Sequence, residues 1–211
     1  MVRVLKILEA RGETMYHQYQ KGWLEVICGC MFAGKTEELI RRLHVLSYAK
    51  QKMVVFKPKI DDRYSDHEIV SHSGMKIPCY VVEQAKEILP MIEEDIEVVA
   101  IDEAQFYDRS IVDICDYLAD KGIRVMVSGL DTDFRGEAFP VMAELLTHAE
   151  FVTKLTAVCA KCGAPATRTQ RIIDGEPASF DDPVILVGAN DYYEPRCRHC
   201  HEVTHKPKKE A

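Results

Sequence analysis

Residues 29–36 read Gly29, Cys30, Met31, Phe32, Ala33, Gly34, Lys35 and Thr36, which fits G-x-x-x-x-G-K-[ST] at each fixed position. That spacing suits phosphate chemistry. The glycines let the backbone turn so tightly that successive N–H groups point inward at anionic oxygens. Lys35 adds a charge for the outer phosphates, and Thr36 offers a hydroxyl to Mg²⁺ at the start of a helix whose dipole also favours an anion. A second group lies downstream: the apolar run 98–101 ends in Asp102-Glu103. Beside a phosphate loop, an acid at a strand end holds Mg²⁺. The acid next to it points the other way and suits a general base. Acids at strand ends are also common as solvated groups; the loop upstream gives this pair its meaning. Gln105 and Phe106 follow and are placed to line the same pocket.

A third group is made of cysteines. Eight occur, at 28, 30, 79, 115, 159, 162, 197 and 200, and the last four form two C-x-x-C pairs. Each pair can grip one edge of a tetrahedral Zn²⁺, so Cys159, Cys162, Cys197 and Cys200 would close a structural site. His199 and His201 flank Cys200 as alternative ligands, and two redox disulfides are the other reading of the pairs. Cys28, Cys79 and Cys115 read as packed thiols, and Cys30, inside the loop, as one that oxidation could reach.

Elements must position these groups. Residues 23–28 read as a buried strand running into the loop, and 37–50 carry Leu39, Ile40, Leu43 and Leu46 at helical spacing. Strands are expected at 53–56, 79–82, 98–101, 123–127 and 152–158, and helices at 85–92, 110–119 and 141–148. Alternating apolar strands and amphipathic helices imply an α/β domain with a mainly parallel sheet. After residue 157 helical periodicity stops, and Cys, Gly, Pro, Arg and Asp dominate. About fifty residues are too few for a comfortable core, so that unit needs a metal staple. The expected divisions are an extension over 1–21, an α/β domain over 22–156, a small zinc-binding, ribbon-like domain over 157–205, and a basic tail over 206–211.

Composition narrows the classes. The 211 residues exceed one domain of ~150 by a small unit. A hydrophobic fraction of 47% with 29% charged residues excludes a disordered or low-complexity chain. Lys plus Arg total 27 against 34 Asp plus Glu, and a net charge of −7 argues against sequence-independent nucleic-acid binding. No apolar run approaches a membrane span, and residues 1–21 contain no signal-like apolar stretch, so a reducing cytoplasm is expected; Met15 is an alternative start. An ATP-dependent DNA-binding or repair module with a zinc ribbon is the alternative these motifs admit. It requires a basic groove, whereas the basic cluster Lys206, Lys208 and Lys209 lies in the tail.

Together, the loop, the Asp-Glu strand end and the four cysteines resemble the cytosolic (type II) thymidine kinases, most closely the bacterial members. The match extends over about residues 22–203. It includes Asp61-Asp62-Arg63-Tyr64, Asp102-Glu103-Ala104-Gln105-Phe106, Gly129-Leu130-Asp131-Thr132-Asp133-Phe134-Arg135-Gly136 and Val184-Ile185-Leu186-Val187-Gly188-Ala189. The resemblance implies a P-loop NTPase-type, RecA-like sheet and transfer of the γ-phosphate of ATP to the thymidine 5′-hydroxyl, in deoxynucleoside salvage. By similarity, residues 29–36 with Asp102, Glu103, Ala104 and Gln105 bind ATP, and Thr36 and Asp102 serve Mg²⁺. Glu103 is the base, and Lys35 and Arg63 stabilise the phosphates. Met31, Phe106, Phe134, Val184, Ile185, Leu186, Val187, Gly188 and Tyr193 face thymidine, with 184–193 as a lasso over it. A homotetramer and feedback inhibition by thymidine triphosphate are further implications.

Overall fold

A computed structural model of the chain describes residues 22–59, 68–71, 74–184 and 192–207. β1 (Trp23–Gly29) runs into the loop that starts α1 (Lys35–Tyr48), and the chain returns through β2 (Met53–Pro58). A hairpin of β3 (Glu68–Val70) and β4 (Lys76–Pro78) follows, then β5 (Tyr80–Val82), β6 (Val98–Ile101), α2 (Ser110–Asp120), β7 (Arg124–Leu130), α3 (Pro140–His148) and β8 (Phe151–Lys154). The main sheet has six strands in the order β5-β2-β6-β7-β1-β8, and every pairing in it is parallel. β7 therefore separates the strand that carries the phosphate loop from the strand that carries the acidic pair.

Both faces of the sheet are covered, as near-continuous apolar strands require. On one face, Leu39, Ile40, Leu43 and Leu46 of α1 pack on Ile27, Val55, Ala100 and Met126, with Ile69 and Ile77 of the hairpin beside them. On the other, Ile111, Cys115 and Leu118 of α2 and Met142 and Leu145 of α3 pack on Val26, Val54, Val99, Ile101, Val125 and Val127. Glu25 is a buried charge on the α1 face. Arg42 Nη1 donates to it from α1 at 3.0 Å, Arg124 Nε from β7 at 2.6 Å, and Trp23 Nε1 from its own strand at 2.6 Å. Arg42 also donates to Thr153 Oγ1 of β8 at 2.8 Å. Glu25 and Arg42 together thus fix α1 against three strands, which sets where the helix N-terminus points.

The later chain forms β9 (Ala157–Val158), β10 (Pro165–Ala166), β11 (Arg168–Ile173), β12 (Glu176–Pro177) and β13 (Tyr192–Arg196). β9 pairs with β10, and β11 pairs with both β12 and β13, all antiparallel. Two expectations are corrected. The strand read over 152–158 is divided, because the chain leaves the sheet after the Leu155 amide bonds the Cys28 carbonyl at 2.8 Å. The helix read over 85–92 is two single 3₁₀ turns, Ala85–Glu87 and Leu89–Met91. Pro90 lacks an amide and restricts the residue before it, which stops an α-helix there.

Gly29 marks the junction of sheet and loop. Its φ is +148°, and a Cβ there would lie 2.6 Å from the Leu155 carbonyl oxygen. Gly29→Ala is expected to lower stability on the order of 2 kcal/mol; thermal melts check it, and an unchanged midpoint would show that the loop tolerates a side chain there.

Candidate active site

The loop leaves β1 at Gly29 and enters α1 at Lys35. Phe32 at φ +64° and Gly34 at φ +81° supply the left-handed steps that curl it. The Lys35 side chain is buried, and its Nζ donates to the Cys30 carbonyl at 2.9 Å, so the lysine lies folded along the loop. Met31 and Ala33 are half-buried, and Phe32 is exposed. Thr36 is in the first turn of α1, and its Oγ1 donates to Asp102 Oδ2 at 3.2 Å. This contact joins two motifs separated by 65 intervening residues, 37–101, and by an intervening strand.

Asp102 caps the end of β6, where its amide donates to the Phe56 carbonyl at 2.9 Å. Ser128, from the neighbouring β7, donates its hydroxyl to Asp102 Oδ1. Burial pushes the Asp102 carboxyl up to about 6, and the adjacent Glu103 charge adds to the rise; the Ser128 hydroxyl, the Glu103 amide and the Thr36 hydroxyl oppose it. A buried acid beside two hydroxyls, whose donors do not offset the cost of burying its charge, suits a hard divalent cation with oxygen ligands.

Glu103 has φ +50° and ψ +42°, a left-handed conformation for a non-glycine residue. Strain of this kind clusters at functional sites. It turns the chain sharply into the 3₁₀ turn Ala104–Phe106. Gln105 Nε2 donates to Glu103 Oε2, while Gln105 Oε1 accepts from the Leu130 amide at 3.0 Å. Gln105 thereby ties Glu103 to the end of β7. Gly129 permits this: a Cβ there would lie 2.6 Å from Gln105 Oε1 and 2.8 Å from Met142 Sδ. Ala104 is fully buried and Phe106 half-buried.

Phe134 is buried. The Arg171 and Arg135 guanidinium carbons lie 5.3 and 5.4 Å from its ring centre, and its carbonyl meets His201 Nε2 at 2.8 Å. Tyr193 is half-buried on β13, 6.0 Å from the Arg171 guanidinium. Val184 is half-buried. Arg63 and residues 185–188 (Ile185, Leu186, Val187 and Gly188) lie outside the described residues.

The four paired cysteines come together. Their sulfurs all lie within 4.8 Å of one another, and Cys162 and Cys197 are 3.6 Å apart. Tetrahedral zinc with Zn–S of 2.3 Å needs S···S of about 3.8 Å, so the set fits a Cys₄ zinc site. The knuckles are already turned: Gly163 N–H bonds the Cys159 carbonyl at 2.9 Å, and the Cys200 and His201 amides bond the Cys197 carbonyl at 3.1 Å. Desolvation works against the Cys159 thiolate, but N–H groups of Cys197, Lys161 and Cys162 outweigh it and bring Cys159 to about 6, the form a metal takes. His201 bonds the Phe134 carbonyl, outside the cluster. Cys30 is fully buried, and burial pushes its thiol above the ordinary range, which makes it a poor target for oxidation.

Ser128, Thr169, Arg171 and Lys154, which pairs with Asp131 at 2.6 Å, are features the motifs do not announce. Ser128 could be found only from strand order, because parallel register sets Ile101 beside Val127.

A parallel α/β sheet with a phosphate loop at one strand end, an acidic pair at another and one strand between them defines a P-loop nucleotide-binding protein. Residues 22–201 match the thymidine kinase family, and the chain belongs to that family. Among solved structures, domain III of the Thermotoga maritima replication initiation protein DnaA is similar at 14% identity and a TM-score of 0.38. The match covers 73% of this chain and 61% of that one. Among the described residues, no helix is long and apolar enough to cross a membrane.

Two outcomes follow from this geometry. Between about pH 4 and pH 6 the native state holds the Asp102 proton more tightly than the unfolded chain does. Stability without nucleotide or divalent cation therefore falls as pH rises through that window. Asp102→Asn keeps an acceptor for Ser128 and Thr36 but cannot ionise. It is expected to exceed the native protein by on the order of 2 kcal/mol at pH 7, to keep about half of that advantage at pH 5 and to lose most of it by pH 4. Melts across this range check it, and an Asn variant less stable at pH 7 would refute it. Metal analysis of purified protein should return about one zinc per chain, and Cys159→Ser should lose it.

Proposed function

We propose that the chain acts as a thymidine kinase, transferring the γ-phosphate of ATP to the 5′-hydroxyl of thymidine to give thymidine monophosphate and ADP. The carrying observation is the 3.2 Å contact between Thr36 and Asp102, which joins phosphate loop and acidic pair in a chain of the thymidine kinase family. In this reading the loop amides and Lys35 bind the triphosphate, and Lys35 moves from the Cys30 carbonyl to phosphate oxygens. Thr36 and Asp102 would hold Mg²⁺, which when bound neutralises phosphate charge. Glu103 accepts the proton of the 5′-hydroxyl as that oxygen attacks the γ-phosphorus and the bond to ADP breaks. The Gln105 link to β7 keeps the carboxylate of Glu103 aimed. Arg63 is assigned to transition-state charge on the phosphoryl group.

Met31, Phe106, Phe134 and Tyr193 are assigned to the nucleoside, with 184–193 as the covering segment. Phe134 lies at the junction of Arg171, Arg135 and His201, so the base-binding side is tied to the cysteine-rich unit. We assign that unit to 157–205 and give zinc the role of fixing the ends of the covering segment. A cytoplasmic homotetramer inhibited by thymidine triphosphate completes the proposal.

With MgATP, the purified protein is expected to form thymidine monophosphate and to prefer thymidine across a panel of deoxynucleosides. Glu103→Gln should lower turnover by about 10²–10⁴-fold while MgATP affinity stays within a few-fold. Near-normal turnover in that variant would remove Glu103 from the base role.

A further inference from the structure

The phosphate loop and the cysteine cluster share one buried seam. Cys30, the second residue of the loop, is fully buried and packs in a single cluster with Cys159, Cys197 and Ala166. Ala33 of the loop and Cys200 pack against the same cluster. The Cys30 thiol donates to the Ala166 carbonyl at 3.4 Å, and one residue on, the Met31 amide donates to Thr169 Oγ1 at 3.1 Å. Cys30 faces the opposite way with its carbonyl, which accepts the Lys35 ammonium at 2.9 Å. A single residue thus touches the cluster with its side chain and the loop lysine with its backbone.

Both outside partners depend on the cysteine knuckles for their positions. Ala166 belongs to the two-residue pairing of β9 with β10, which encloses Cys159 and Cys162. Thr169 lies on β11, paired with β13, which runs directly into Cys197. The Cys159 amide bonds the Ala164 carbonyl at 2.8 Å, and the Ala160 amide bonds the Pro195 carbonyl at 2.9 Å, so the two knuckles brace each other. The side chains in the seam are mainly Ala and Cys, and bury too little apolar surface to keep such short strands in register alone. A metal joining all four sulfurs would supply that register.

We propose that the four-cysteine centre and the phosphate loop are thermodynamically linked: metal in the cluster holds the loop in its ATP-binding shape, and ATP in the loop tightens retention of the metal. Cys30, Ala166 and Thr169 are the positioning residues of this linkage. The inference rests on reading 29–36 as the ATP loop and the four cysteines as zinc ligands. Linkage is reciprocal, so the factor by which zinc strengthens ATP binding equals the factor by which ATP strengthens zinc binding.

The test uses the full chain loaded with zinc. Zinc affinity is measured by competition with a chromogenic chelator, with and without saturating MgATP and without thymidine. MgATP affinity is measured by calorimetry before and after zinc is stripped. MgATP is expected to raise zinc affinity about fivefold or more, and stripping to weaken MgATP binding by the same factor. Cys30→Ala should lower the mutual effect toward unity whatever its own MgATP affinity. Thr169→Val, isosteric but without the hydroxyl, should still bind both ligands with the mutual effect reduced toward unity, and Thr169→Ser should restore it; this pair decides the matter if Cys30→Ala fails to fold or to bind MgATP. A protein that binds both ligands without mutual effect, or variants that keep the full effect, would overturn the linkage and leave the site reading standing. A protein that binds no zinc or no MgATP would overturn both.

Discussion

A carboxylate at the end of a central parallel strand is largely shut off from solvent, and Asp102 is kept there by hydroxyls from two other elements. Ser128 reaches it from β7 and Thr36 from α1. Each contact depends on a particular piece of architecture. Ser128 can donate because β7 lies between β1 and β6. Thr36 can donate because α1 starts directly after the loop and is locked to the sheet through Glu25, Arg42 and Arg124. Burial and the neighbouring Glu103 charge raise the carboxyl to about 6, so the arrangement is under electrostatic stress without a cation. Strain of a second kind sits one residue on, in the left-handed backbone of Glu103. Two local costs at adjacent residues are tolerable because the surrounding sheet is apolar, parallel and covered on both faces.

Much of this was legible in the residues. The loop, the Asp-Glu strand end and the paired cysteines are local patterns, and the helix of 37–50 and the strands at 23–28 and 98–101 follow from periodicity. The parts that were not legible come from tertiary order. Nothing local in Ser128 distinguishes it from any other strand serine, because its role depends on β7 being inserted beside β6. Gly129 reads as part of a motif block, yet its physical reason is the close approach of Gln105 and Met142. The 152–158 run has one uniform texture but divides between two sheets, since leaving the sheet at Leu155 is decided by the loop beside it. Arg171 is the extreme case. A fully buried arginine gives no signal in composition, and its site is made by Phe134, Tyr193 and the Pro183 carbonyl, which accepts its Nη1 at 2.7 Å.

The cysteine-rich unit is best understood through what it touches. It lacks a large core of its own, and its buried polar side chains are spent on cross-links. Gln170 bonds both the amide and the carbonyl of Glu202, while Arg196 reaches the Cys200 carbonyl at 3.4 Å. Four thiolates around one zinc ion would carry a net charge of about −2. Arg196 therefore also faces a charge that needs compensation so close to an anion-binding loop. The unit contacts that loop at Cys30 and Met31 and contacts Phe134 through His201 and Arg171, so the two proposed halves of the substrate pocket rest on the same support.

Charge orders these parts. The chain carries a net −7, so a triphosphate gains nothing from its overall field, and attraction must be local. In the proposed reading, loop amides, the N-terminus of α1 and Lys35 would provide it, while Asp102 and Glu103 in the same site would oppose it. Thr36 and Asp102 would hold a divalent cation whose charge would turn that opposition into attraction and relieve the stress on the buried carboxyl. In that reading Glu103 would stay outside the exchange because Gln105 tethers it to β7. The two neighbouring acids would then do different work, one held against a metal and one left able to take a proton. Their different tethers, Thr36 and Ser128 on one and Gln105 on the other, would keep those roles apart.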